Sequence, residues 1–264
     1  MGMKKGQVTI FIILAIVFVT IIGLILFINS GAEKEGRGRD YFEQQGIRPS
    51  LANIQDFIVE CHEEISRTGL DYIGLRGGYY EVPDYYFDMG WVFIPYYYYE
   101  GLILMPEIKE IESEISNYVD DNINNCFEKI NFKNFDLEYG DSETRTRIDK
   151  KKVVINTKLS VKVEHEGEIT DFRLSEYELS IESYLNEIYE VADFITESHK
   201  KNPELMCINC IIELAKERDI YVDFISISDD STLVMLLENK TTEKPYIFQF
   251  INKYNIKMDV IEEI

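Results

Sequence analysis

Four cysteines, Cys61, Cys126, Cys207 and Cys210, are the residues of this chain whose type and spacing best suit chemistry. The last two form a Cys-x-x-Cys step around Ile208 and Asn209. Thiols at that spacing can close a structural disulfide, exchange electrons with another thiol pair, or supply half of a metal site. Asn202-Pro203 predicts a helix opening just upstream and running to about Arg218, which places both sulfurs just inside its N-terminus. The helix dipole there stabilises thiolate and lowers the thiol pKa, as a redox pair requires. A thioredoxin-like site would follow a strand, whereas a helix is predicted before this one. Haem attachment would need His where Ile211 stands, and zinc would need Cys61 and Cys126 to join the pair. A structural bridge is the expected state, and a redox pair at Cys207 and Cys210 is the alternative. No metal site and no cofactor is expected.

Other chemistry is sparse. The three histidines are His62, His165 and His199, and His62-Glu63-Glu64 fails the HExxH pattern because Ser66 occupies the second His position. His165 stands beside Gly167 and is expected at an exposed turn. No GxSxG, P-loop or dinucleotide fingerprint occurs, so an enzymatic reading rests on the Cys-x-x-Cys alone. Tyr96, Tyr97, Tyr98 and Tyr99 run consecutively. In a strand they would alternate between core and surface, which makes Tyr97 and Tyr99 the binding candidates. Asn239-Lys240-Thr241 fits the N-glycosylation acceptor, with Asn239 near a predicted hairpin end.

The elements that must position these residues follow from periodicity. Leu51, Ile54, Phe57, Ile58, Cys61 and Ile65 recur at three and four behind Ser50 as N-cap, predicting a helix that ends before Gly74. Pro106 opens a second helix, with Ile108, Ile111, Ile115, Tyr118 or Val119, Asn122, Cys126 and Ile130 on one stripe. Cys61 and Cys126 therefore each ride an apolar stripe. They would staple the two helices if the domain lies outside the cytoplasm, and would otherwise be buried thiols. Between these helices, residues 79–104 are rich in aromatics and interrupted by Pro83 and Pro95, which suits short strands or an ordered loop.

Val153, Ile155, Thr157, Leu159, Val161 and Val163 alternate with polar neighbours and predict one half-buried strand. Glu166-Gly167 turns it into a partner whose apolar phase slips between Leu174 and Tyr177, a bulge signal. A helix over about 184–199, the Cys-x-x-Cys helix, and strands at 221–227, 232–237 and 246–251 complete the pattern, with residues 228–231 as a tight turn. Strands and helices come in blocks. The fold class is thus α+β, one N-terminal transmembrane helix plus a soluble domain of mainly antiparallel sheet with several helices.

Residues 7–28 hold no charge and are long enough to cross a bilayer core that needs roughly 20 residues. Residues 29–48 follow with glycines and alternating charge, a solvated tether. The expected organisation is a short cytoplasmic start at 1–6, a membrane helix at 7–28, a tether at 29–48 and a domain at 49–264, with any subdivision near 182–203. Without residues 1–5, 25 basic residues stand against 48 acidic ones, a formal charge of −23. That field repels phosphate backbones and excludes nucleic acid as the expected partner.

Lys5-Gly6-Gln7-Val8-Thr9 directly before the apolar run resembles the class III signal of archaeal pilins and archaellins. The resemblance covers about the first 25 to 30 residues and implies processing between Gly6 and Gln7. The fifth position from Gln7, usually Glu in that family, is Phe11. The KGQVTIF start, Gly77-Gly78-Tyr79-Tyr80 and the late Cys-x-x-Cys are also similar to uncharacterised single-anchor surface proteins of small-genome archaea. The resemblance implies a single-pass cell-membrane protein with an extracytoplasmic domain. Its expected role is a noncatalytic envelope or pilin-like component, partnered by the lipid bilayer and by itself or another surface protein. A membrane-tethered thiol-disulfide oxidoreductase is the alternative.

Overall fold

The computed structural model describes residues 51–128, 135–201, 207–238 and 245–254, and these form an α+β domain with mainly antiparallel sheets. In chain order they are α1 (Leu51–Gly74), β1 (Tyr86–Asp88), β2 (Phe93–Tyr99), β3 (Leu102–Ile103), α2 (Ile108–Asn122), α3 (Asn125–Glu128), β4 (Phe135–Tyr139), β5 (Glu143–Asp149), β6 (Lys152–Lys158), β7 (Ser160–His165), β8 (Glu168–Arg173), a single 3-10 turn (Leu174–Glu176), β9 (Leu179–Glu182), α4 (Leu185–Lys201), α5 (Ile208–Glu217), β10 (Ile220–Ser228), β11 (Ser231–Glu238) and β12 (Ile247–Lys253). Among the described residues no helix is long and apolar enough to cross a membrane. The run at 7–28, the tether, Gly6 and Gln7, Ser50, Ile130, Asn202-Pro203 and Asn239 lie outside the described residues.

One sheet has the order β1-β2-β12-β11-β10, with β3 beside β2, and its β12–β2 pair is parallel while the others are antiparallel. Pro95 does not break β2, contrary to the sequence expectation. It pairs with Tyr86 in β1, and the parallel ladder to β12 begins only at Tyr96, the first residue past the missing N–H. Val234, Leu236, Phe248, Phe250 and Tyr97 share a core with Ile73 of α1, Ile111 and Ile115 of α2, Ile188 and Val191 of α4 and Ile211 of α5. Ile148, Val153, Ile155 and Ile181 of β5, β6 and β9 join that same core. Residues on both sides of 182–203 therefore bury one another.

The single strand expected from Val153 to Val163 is two strands in two sheets, β5-β6-β9 and β4-β7-β8. The alternation itself holds, because Val153, Ile155, Thr157, Leu159, Val161 and Val163 are all buried. What divides them is extra length in both partners. Residues 140–142 stand opposite residues 159 and 160, and residues 174–178 stand opposite residues 156–159. Each neighbour carries one surplus residue, so the ladders are interrupted on both sides of Leu159 at the same level. The 3-10 turn at Leu174–Glu176 takes up the phase slip seen in the sequence.

The edge of β5 is closed by a helix rather than by a strand. Glu112 Oε1 accepts from Ile148 N at 2.9 Å, Ser116 Oγ from Thr146 N at 3.1 Å and Asp120 Oδ2 from Thr144 N at 3.0 Å. Four helical residues rise about 6 Å and two strand residues about 6.8 Å, so acceptors at i, i+4 and i+8 match every second amide of the strand. The ladder supplies partners to an edge that would otherwise pair with another chain.

Candidate functional site

Cys61 on α1 and Cys126 on α3 are bonded to each other, with Cα atoms 5.8 Å apart across 65 residues of chain. The second predicted helix is in fact two pieces, α2 and α3, hinged around Ile123, and Cys126 sits fully buried on the short one. His62, the next residue after Cys61, is also fully buried, and its Nε2 lies 2.9 Å from Thr157 Oγ1. Thr157 Oγ1 lies 2.8 Å from Thr144 Oγ1, which donates to Asp120 Oδ1 at 2.7 Å. Since Asp120 accepts and each threonine holds one proton, the chain runs His62 Nε2–H to Thr157 to Thr144 to Asp120. That direction places a proton on Nε2. Burial pulls the imidazole pKa down to about 4, against the opposing pull of Asp120 and Glu63.

Cys207 and Cys210 form the second bridge, with Cα atoms 5.3 Å apart and a sequence separation of 3. The described helix begins at Ile208, so Cys207 is its N-cap rather than a residue inside it. Its sulfur accepts a hydrogen bond from Cys210 N at 3.3 Å, taking the role a Ser or Asp oxygen plays at other helix starts. All four residues from 207 to 210 are exposed. Ile208 and Ile212, one turn apart, are 51% and 50% exposed, while Ile211 and Ala215 anchor the opposite face. Because each pair is closed on itself, Cys61 and Cys126 do not reach Cys207 and Cys210 as common metal ligands. Among the described residues no cluster of three or more His, Cys, Asp or Glu suits a metal ion.

The tyrosine run is mostly structural. Tyr97, a binding candidate by sequence, is 0% exposed, stacks on Phe250 at 4.3 Å and donates to Gly77 O at 2.8 Å, so it presents nothing to a partner. Gly77 has φ +53°, and a Cβ there would meet Gln249 O at 2.7 Å, which explains why the Gly77-Gly78 turn packs so closely beneath the sheet. Tyr98 is also buried, and its ring lies beside His199. Tyr99 is half-buried between Tyr85 and Tyr96, with the Lys253 ammonium 4.8 Å from its ring centre. Strict alternation fails because β2 is interior to the sheet and is covered on both faces.

His165 is half-buried, not exposed as expected, because its ring stacks on Phe135 across the β4–β7 pair at 3.9 Å. His199 is buried with Nδ1 2.7 Å from Asn252 Nδ2, and burial lowers its pKa to about 4. Sequence reasoning missed Trp91, at 72% the most exposed aromatic among the described residues, in the β1–β2 loop that also holds exposed Met89. Its signal was available: the sole tryptophan follows Gly90, a turn residue. Against family models, curated proteins and solved structures, the chain finds no match.

Proposed function

We propose that the chain is a single-pass, membrane-anchored surface protein whose acidic α+β domain faces outward and acts without catalysis as an envelope or pilin-like component. The observation that carries this reading is the Cys61–Cys126 bridge. It joins two core helices across 65 residues, a linkage that persists in an oxidising compartment and is rare in the cytosol. The uncharged run at 7–28 supports an anchor, and the basic-Gly-Gln start supports processing between Gly6 and Gln7. Positioning beside the bilayer comes from that anchor, and a charge of −23 keeps the domain off anionic headgroups and nucleic acid. Contact with another copy or another surface protein falls to side chains that reach the surface, so half-buried Tyr99 stays in the proposal and fully buried Tyr97 leaves it.

The test is intact and peptide mass spectrometry on protein isolated from native membranes under thiol-blocking conditions. A mature start at Gln7 with Cys61 and Cys126 oxidised is expected of a pilin-like subunit. A start at Met1 or Gly2 with the same bridge would leave a plain anchor. Free thiols at Cys61 and Cys126 would overturn the outward orientation.

A further inference from the structure

We propose that the Cys207–Cys210 disulfide is an exchanging one that accepts two electrons from a dithiol on an apolar protein segment, with Cys207 carrying the mixed disulfide. Three features converge on it. Both sulfurs belong to exposed residues, so a thiolate can approach along the S–S axis, whereas Cys126 of the other bridge is completely buried. Cys207 caps α5, and its sulfur already receives the Cys210 N–H, so negative charge released there meets a hydrogen-bond donor and the positive end of a ten-residue helix. The first turn of α5 carries no acid. In a chain with 48 carboxylate residues, no carboxylate of that turn competes with a thiolate there.

The chemistry balances without a further reagent. One thiolate of the incoming dithiol attacks Cys207 Sγ, forming a mixed disulfide and breaking the bond to Cys210, which leaves as thiolate and takes up a proton. The second thiol of the incoming segment loses its proton and attacks its own partner sulfur. The segment departs as a disulfide, and Cys207 is released as the thiolate that the Cys210 N–H and the helix end stabilise. Two electrons pass to Cys207 and Cys210, and one proton passes from the segment's second thiol to Cys210. A stabilised leaving thiolate speeds this second step. The reverse reaction uses Cys207 to attack a protein disulfide and Cys210 to resolve it. Ile208 and Ile212 supply an exposed apolar strip next to the reacting sulfur, which fits a segment with aliphatic residues flanking its cysteines.

The test uses the full chain in detergent and two synthetic dithiol peptides, one with leucines and one with serines flanking the cysteines. Differential alkylation and peptide mapping then follow each bridge over time. The proposal expects the 207–210 bridge to open at least tenfold faster than the 61–126 bridge, and the leucine peptide to outrun the serine peptide. With the leucine peptide supplied in its oxidised, disulfide form, it also expects Cys210→Ser to accumulate a mixed disulfide at Cys207 at least tenfold more than Cys207→Ser does at Cys210. Equal opening of the two bridges in the wild-type chain overturns the proposal, whether or not either variant folds. Equal trapping by two folded variants overturns the assignment to Cys207.

Discussion

The two cysteine pairs show how the same bond serves different ends in different surroundings. The 61–126 bridge lies where α1 and α3 meet a buried polar chain, and the 207–210 bridge closes a three-residue step on an exposed helix end. Loop-closure entropy separates them further. In the chain-entropy model a 65-residue loop gives about 4 kcal/mol and a loop of three or four residues about 2 kcal/mol. The first bridge therefore holds the fold, and the second holds little beyond its own turn. The largest expected effect follows directly: the double variant Cys61→Ala/Cys126→Ala loses about 4 kcal/mol in urea unfolding, and Cys207→Ala/Cys210→Ala at most about 2 kcal/mol. Equal losses would break the comparison.

The next effect is acid lability, which a histidine beside the first bridge contributes to. The folded pKa of His62 is about 4, below an ordinary value of 6.5. Between those values the unfolded chain binds more proton than the folded one, so the stabilising contribution is complete above pH 6.5 and is lost as pH falls toward 4. The loss across that window is about 3 kcal/mol at most for His62, and His199, also depressed by burial, acts in the same direction. Urea titrations at pH 7 and pH 5 measure it, and His62→Gln flattens the dependence.

Somewhat smaller is the effect of removing the acceptor that ends the polar chain. Asp120→Ala leaves Thr144 N and Thr144 Oγ1 without their partner and frees the lower end of the β5 edge. Asp120 is half-buried and water can enter, so a loss of about 2 kcal/mol is expected. The same substitution leaves the rate of opening of the 207–210 bridge unchanged, a readout by differential alkylation that ties the effect to one region only.

How much of this was legible in the sequence differs between the two regions for a physical reason. Apolar periodicity exposes what a helix or strand buries, so α1, α2, α4, the alternating β6 and β7 residues and the two-residue turn at Asp229-Asp230 could be read directly. Cys61 and Cys126 could be placed on facing stripes by the same logic. Glu112, Ser116 and Asp120 could not, because polar residues one turn apart on a helix look like a solvated face until a strand edge supplies the donors. The β2–β12 parallel pair was equally hidden, since no local pattern joins strands about 150 residues apart. At the second bridge the error was one of position. Pro203 drew the predicted helix start upstream, while the structure makes Cys207 the cap, and a sulfur is an unusual enough cap that spacing alone gave no hint.

That cap supplies the smallest test and the one that separates the regions most sharply, because the preference between Ser and Ala reverses. At Cys207 the side chain is exposed and accepts a backbone N–H, so Ser can replace the sulfur as N-cap whereas Ala cannot. Within a background lacking the 207–210 bridge, Cys207→Ser is expected to be more stable than Cys207→Ala by about 1 kcal/mol. At Cys126 the side chain is completely buried, so a hydroxyl brought there gives up its hydration. Within a background lacking the 61–126 bridge, Cys126→Ser is expected to be less stable than Cys126→Ala by about 1 to 2 kcal/mol. Four urea titrations measure both differences after each bridge itself has been subtracted. Opposite signs at the two sites mean that the sulfur of Cys207 is used as a polar atom and that of Cys126 as an apolar one. Ala favoured at both sites would mean that the cap contributes nothing, and Cys207 would then lack the hydrogen bond that singles it out as the released thiolate.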